Sequence, residues 1–87
     1  MNDILSKEQT RVVEGILLSE LGVERGQLAA DARLMEDLGA DSLTLAAITL
    51  AIEDQFNLSI PDERWERVRT VGDLFEALAE LLQEQRR

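Results

Sequence analysis

Leu38-Gly39-Ala40-Asp41-Ser42-Leu43 is the stretch from which the rest of the chain can be read. Gly39 frees the backbone of Cβ restrictions, Asp41 and Ser42 are both good N-capping side chains, and an apolar-rich run from Leu43 to Phe56 follows. A helix from about Ser42 to Phe56, ended by the breaker Asn57, is the expectation, with Ser42 at its start. Unpaired backbone N–H groups and the positive end of the helix dipole favour an anion there, such as a phosphate. The plainer alternative is that Ser42 only caps the helix.

Length and composition narrow what such a serine can do. The chain has 87 residues, enough for one small domain over 1–87 with one core, its ends at 1–5 and 84–87 expected to fray. It has no cysteine and no histidine, so there is no disulfide framework, no thiol nucleophile, no Cys/His metal site and no imidazole base. No Asp-x-Asp-x-Asp-Gly loop is present either, so no metal site is expected. A self-sufficient hydrolytic enzyme is therefore not expected. Met1-Asn2-Asp3-Ile4 lacks the pattern of a signal peptide and no apolar run is long enough to span a bilayer, which points to a cytoplasmic protein.

The formal net charge is −9, and its distribution is uneven. Between Leu34 and Glu63 lie seven carboxylates (Glu36, Asp37, Asp41, Glu53, Asp54, Asp62, Glu63) and no Lys or Arg. Such a field repels nucleic acid and anionic lipid and attracts basic protein surfaces. A solvated acidic face that only aids solubility is the bland counterpart.

Around that stretch the chain reads as helices. Ser6-Lys7-Glu8-Gln9 is a capping box, Val12, Val13, Ile16, Leu17 and Leu21 follow at helical spacing, and Gly22 suits the left-handed end position, which predicts a helix over Lys7 to Leu21. From Val23 to Asp41 the pattern is irregular, with Val23, Leu28, Leu34, Met35 and Leu38 as scattered apolar anchors and a short helical turn expected over Leu34 to Leu38. In the Ser42 helix, Leu45, Ile48, Ile52 and Phe56 form a core stripe, while Leu43, Ala46, Ala47 and Leu50 form a second apolar strip, either sandwiched within the bundle or, as favoured in so small a domain, turned toward partners. Pro61 opens a short helix over Asp62 to Val68, whose Trp65 is expected to keep its indole N–H in water, and Arg64, Arg67 and Arg69 can pair with nearby carboxylates. Thr70 caps a last helix with core positions Val71, Leu74, Phe75, Leu78 and Leu82. The fold class is all-α: a small four-helix bundle of three main helices and one short one, with a long loop after the first.

Leu34-Met-Glu-Asp-Leu-Gly-Ala-Asp-Ser-Leu43, Ala51-Ile-Glu-Asp-Gln-Phe56, Ile60-Pro-Asp-Glu63 and Thr70-Val71, taken together, resemble the acyl carrier protein family. The resemblance implies a carrier and not an enzyme. At the position of Ser42 that family bears covalent 4'-phosphopantetheine, placed there from coenzyme A by a separate magnesium-dependent phosphopantetheinyl transferase. The arm ends in a thiol that holds acyl groups as thioesters and shuttles them between enzymes of fatty-acid or polyketide-type biosynthesis.

By the same resemblance Asp41 belongs to the surface that the transferase recognises and Leu43 sits beside the arm. Leu43, Ala46, Ala47, Leu50, Glu53 and Asp54 form the face offered to acyl-transferring and ketosynthase-type enzymes with basic docking grooves. Ile48, Ile52, Phe56, Val68, Leu74 and Phe75 line the interior, either as plain core or as a lining that admits an acyl chain. Fatty-acid carriers commonly have acids at the positions of Thr44 and Ala47, both uncharged here, which implies more apolar partner recognition and a specialised carrier. Gly-Ala-Asp-Ser stands where a peptidyl carrier typically has Gly-Gly-His-Ser. A monomer is expected of a shuttle. The alternative reading is an unmodified acidic helical adaptor that uses the same face for docking alone.

Overall fold

The computed structural model describes residues 5–85 and contains helices α1 (Lys7–Leu21), α2 (Ser42–Phe56), α3 (Asp62–Trp65) and α4 (Val71–Gln85), with a 3-10 turn at Arg25–Gln27. The all-α class and the bounds of α1 and α2 agree with the sequence reading. Ser6 and Gln9 exchange the two bonds of a capping box at 3.0 and 2.9 Å, and Gly22 closes α1 in the left-handed conformation at φ 66°. Asn57 takes the same role after α2 at φ 53°, a conformation that asparagine tolerates better than most residues.

The core joins all three long helices: Val13 and Leu17 from α1, Ile48 and Ile52 from α2, and Leu74, Leu78 and Leu81 from α4 are buried. The long loop completes the cover of that core. Leu34, Leu38 and Ala40 from it are buried, with Val23 and Leu28 packed at the margin.

Backbone bonds hold that loop in place. The Leu34 N–H donates to Arg69 O at 2.9 Å, the Val71 N–H to Ala32 O at 3.0 Å, and the Gly72 N–H to Ala30 O at 2.8 Å. A Cβ at Gly72 would lie 3.0 Å from that Ala30 oxygen, so the approach favours glycine. Asp73 and Thr70 lock the start of α4 reciprocally: Asp73 Oδ2 accepts the N–H groups of Arg69 and Thr70, and the Asp73 N–H donates to Thr70 Oγ1.

Several expectations are corrected. Met35 is not an anchor but stands 55% exposed. The segment Leu34 to Leu38 makes isolated helical turns and no regular helix: Asp37 N–H donates to Arg33 O at 3.0 Å and Gly39 N–H to Met35 O at 3.2 Å, closed by Ala40 N–H to Leu34 O at 2.9 Å with Gly39 at φ 77°. The short helix ends at Trp65, because Arg67 and Val68 donate three residues back and Arg69 must straighten to meet Leu34. Its indole N–H is buried and has no acceptor among the described residues. Glu84 and Gln85, expected to fray, are helical: Arg64 on α3 pairs with Glu84 at 2.6 Å, and Gln85 Nε2 donates to Asn57 O at 2.8 Å. The expected fraying at 1–4 and at 86–87 falls outside the described residues.

Candidate functional site

The start of α2 is an exposed, acid-flanked helix terminus held up by buried loop residues. Leu38 and Ala40 point into the core on either side of Gly39, so the chain emerges at Asp41 in an extended conformation, φ −126° and ψ −175°. There Asp41, not Ser42, is the cap. Its Oδ1 accepts the Thr44 N–H at 2.9 Å and the Thr44 hydroxyl at 2.9 Å. The Thr44 amide and then its hydroxyl hold the Asp41 carboxyl below the usual carboxylate range.

Ser42 is consequently the first residue of the helix proper. It is exposed, and its hydroxyl makes no hydrogen bond among the described residues. A hydroxyl in that position is free to be derivatised, and a phosphate attached to it would sit at the positive end of a 15-residue helix. Four residues on each side, from Leu38 to Ala46, carry no cation that would compete for that phosphate.

The residues expected on the partner face divide in three. Leu43, at 82% exposure, and Leu50, at 67%, are large apolar side chains open to solvent. Ala46 and Asp54 are also exposed, whereas Ala47 is half-buried. Glu53 is half-buried, and its carboxylate is already engaged, accepting the Ile60 N–H at Oε2 at 2.7 Å. A shallow hollow lined by Leu50, Ala51, Glu53 and Asp54 joins the apolar and acidic parts of this face. Met35 adds a third large exposed apolar side chain, in the turn that leads to Ser42. Sequence reasoning placed it among the loop's apolar anchors because a methionine among leucines at irregular spacing carries no periodic signal of which side it faces.

The acidic block is less uniform than its sequence. Asp37 is paired with Arg33 at 3.2 Å, an arrangement that holds its carboxyl low, Asp41 is the helix cap, and Glu53 holds the Ile60 amide. Glu36, Asp54, Asp62 and Glu63 remain exposed with side chains unbonded among the described residues. Arg64 reaches across to Glu80 and Glu84, and no ion pair is made by Arg67 or Arg69 among the described residues. Of the expected interior set, Ile48, Ile52 and Leu74 are buried, while Phe56, Val68 and Phe75 pack at its edge. Among the described residues no cluster of three or more His, Cys, Asp or Glu is placed to hold a metal ion, and no helix is long and apolar enough to cross a membrane.

Fold and site together define a small helical domain that presents one free serine hydroxyl at the head of an acid-flanked helix. Comparison with known proteins gives that class its family. Residues 11–78 match the family described as "Phosphopantetheine attachment site". An acyl carrier protein of Syntrophobacter fumaroxidans is 41% identical over 71 residues, covering 82% of this chain and 86% of that protein, and one of Akkermansia muciniphila is 42% identical over 62 residues, covering 71% and 78%. A solved structure from Mycobacterium tuberculosis, described as an acyl carrier protein, superposes with a TM-score of 0.73 at 30% identity and covers 79% of this chain and 92% of that one. The chain belongs to the acyl carrier protein family, whose members carry 4'-phosphopantetheine covalently.

Proposed function

We propose that Ser42 is the attachment point of 4'-phosphopantetheine and that the protein carries acyl groups between the enzymes of a dedicated biosynthetic pathway. The observation that carries this reading is the division of labour at the head of α2: Asp41 caps the helix through Thr44, and the Ser42 hydroxyl is left exposed and unbonded.

In the modification, the Ser42 oxygen forms the new phosphoester bond as the phosphoanhydride bond of coenzyme A breaks and adenosine bisphosphate leaves. The hydroxyl proton passes to a base of the phosphopantetheinyl transferase, since this chain has no histidine to receive it. The helix terminus then faces the phosphodiester with its N–H groups and dipole. Bound there, the cofactor supplies the terminal thiol that this cysteine-free chain lacks.

Asp41 and Leu43 flank the attachment point, and Leu43, Ala46, Leu50 and Asp54 present an apolar strip with an acidic end to acyl-transferring and ketosynthase-type enzymes. Long-range attraction between this acidic domain and basic grooves would give the fast, reversible encounters that a shuttle needs. The uncharged Thr44 and Ala47 favour a specialised carrier, of a polyketide-type or other dedicated acyl pathway, over a housekeeping fatty-acid carrier. A monomer in the cytoplasm fits this role.

Intact mass before and after incubation with coenzyme A, magnesium and a broad-specificity transferase tests the reading. One phosphopantetheinyl increment, abolished in Ser42→Ala while helical content is unchanged, is the expected result. An increment that persists in the variant would displace the site, and no increment on the wild type would return the domain to the adaptor class.

A further inference from the structure

The Thr44 side chain makes a bond that its backbone does not require. At the third helical position any residue but proline would offer its N–H to an aspartate cap, and Thr44 does so at 2.9 Å. Its hydroxyl donates to the same oxygen, Asp41 Oδ1, also at 2.9 Å. Two donors from one residue thus converge on one carboxylate oxygen. Asp41 Oδ2 accepts no hydrogen bond among the described residues, and Asp41 as a whole is exposed. Thr44 itself is half-buried, so the pinning group sits on the firmer side of the pair.

The geometry matters because an exposed aspartate cap with one donor can rotate about its terminal torsion, which is broad and two-fold, and exchange its oxygens. A second donor from a different direction removes that freedom. The carboxylate then presents a fixed, ionised oxygen next to Ser42, pre-organised for a cationic group that approaches the serine.

We propose that Thr44 is a positioning residue for the modification of Ser42: its hydroxyl fixes Asp41 so that Oδ2 receives a guanidinium or ammonium group of the modifying enzyme beside the serine. This rests on the reading of Ser42 as the attachment site. Charge complementarity supports the choice of a cationic partner group, since the stretch from Leu34 to Glu63 contains no Lys or Arg and Asp41, unlike Asp37 with its Arg33, makes no ion pair among the described residues.

Thr44→Val removes the hydroxyl while keeping the shape and the backbone N–H, and Thr44→Ser restores the hydroxyl. Steady-state phosphopantetheinyl transfer to each, together with NMR titration of the Asp41 carboxyl in the free proteins, tests the inference. The valine variant is expected to lose about fivefold in kcat/KM, chiefly through KM, because the anchor is a binding contact partly screened by water. Serine should restore the value to within about twofold, the Asp41 carboxyl should titrate at higher pH in Thr44→Val, and on an Asp41→Asn background the valine change should cost nothing further. Wild-type kinetics in Thr44→Val, or a loss that serine does not rescue or that persists on the Asp41→Asn background, would overturn the positioning role. Absence of modification on the wild-type protein would instead overturn the attachment reading, while the titration would still report whether the hydroxyl holds Asp41.

Discussion

Glu53 sits on the face read as a docking surface, yet its carboxylate is spent inside the chain, and replacing it separates the two roles. Oε2 accepts the Ile60 N–H at 2.7 Å, a short bond to a charged acceptor, and Ile60 is buried at 8% exposure. Glu53 also accepts through its backbone oxygen from Leu58, so one residue organises the whole turn from the end of α2 to Pro61. Glu53→Ala leaves the Ile60 amide without an acceptor in a place where the following Pro61 restricts the backbone from turning it toward water. An orphaned donor of this kind costs about 1–3 kcal/mol. In a domain of this size each kcal/mol moves Tm by about 4–8 °C, so Tm should fall by roughly 4–24 °C. Glu53→Gln keeps an acceptor oxygen and should stay within a few degrees of the wild type. Thermal unfolding followed by circular dichroism gives the shift, and hydrogen exchange at the Ile60 amide shows whether this bond is its source. A Glu53→Ala protein that unfolds within about 2 °C of the wild type with Ile60 protection unchanged would refute the assignment of Glu53 as a structural latch. If the docking reading is also right, Glu53→Gln should slow association with a basic partner, most visibly at low salt, without the stability loss.

Two further outcomes test the scaffold. Gly15 is exposed in the middle of α1 and a Cβ there would meet nothing within 4 Å, so Gly15→Ala should stabilise by about 0.8–1 kcal/mol and raise Tm by about 3–8 °C; an unchanged or lower Tm would be contrary to this. Asp73 accepts the Arg69 and Thr70 amides, which hold its carboxyl below the ordinary range, so its contribution to stability is complete above that range and is lost as pH falls through the depressed folded value. Urea unfolding of Asp73→Asn against the wild type should therefore show a deficit at neutral pH that shrinks on acidification. A deficit that stays constant with pH would mean that the charge is not what the amides hold.

Much of this architecture was legible because local signals agreed with one another. The capping box at Ser6 and Gln9, the Gly22 stop and the five apolar positions of α1 all name one helix, and Asp41 and Asn57 bracket α2 in the same way. Tertiary pull decided where the reading failed. Arg69 pairs with Leu34 across the bundle, which truncates α3 at Trp65, and no periodicity in the segment itself encodes that distant partner. Along α4, Leu81 and Leu82 are adjacent leucines that fit the stripe at one turn's ambiguity. Burial goes to Leu81, in register with Leu74 and Leu78, and leaves Leu82 half-buried, although the spacing suggests Leu82. Helical persistence to Gln85 depends on Asn57 and Arg64, which are far away in sequence.

The candidate site was legible in its residues and not in its division of labour. Asp-Ser before a helix admits either residue as the cap, and a serine that caps cannot offer its hydroxyl without the helix losing a bond. The structure resolves the choice through Thr44, whose amide and hydroxyl both turn to Asp41. That same Thr44 is where the familiar fatty-acid pattern has an acid, and an acid there would repel Asp41 where the threonine holds it. What the chain forgoes in negative charge at the head of α2 it therefore recovers in order: the helix is capped, one carboxylate is fixed, and the hydroxyl beside it is free. Docking strength would then come from Leu43 and Leu50 on the open strip, with Glu36, Asp54, Asp62 and Glu63 as the unbonded acids that guide approach. On the proposed carrier reading, an interface built this way would read shape before charge, and discrimination between partners would fall to the apolar strip.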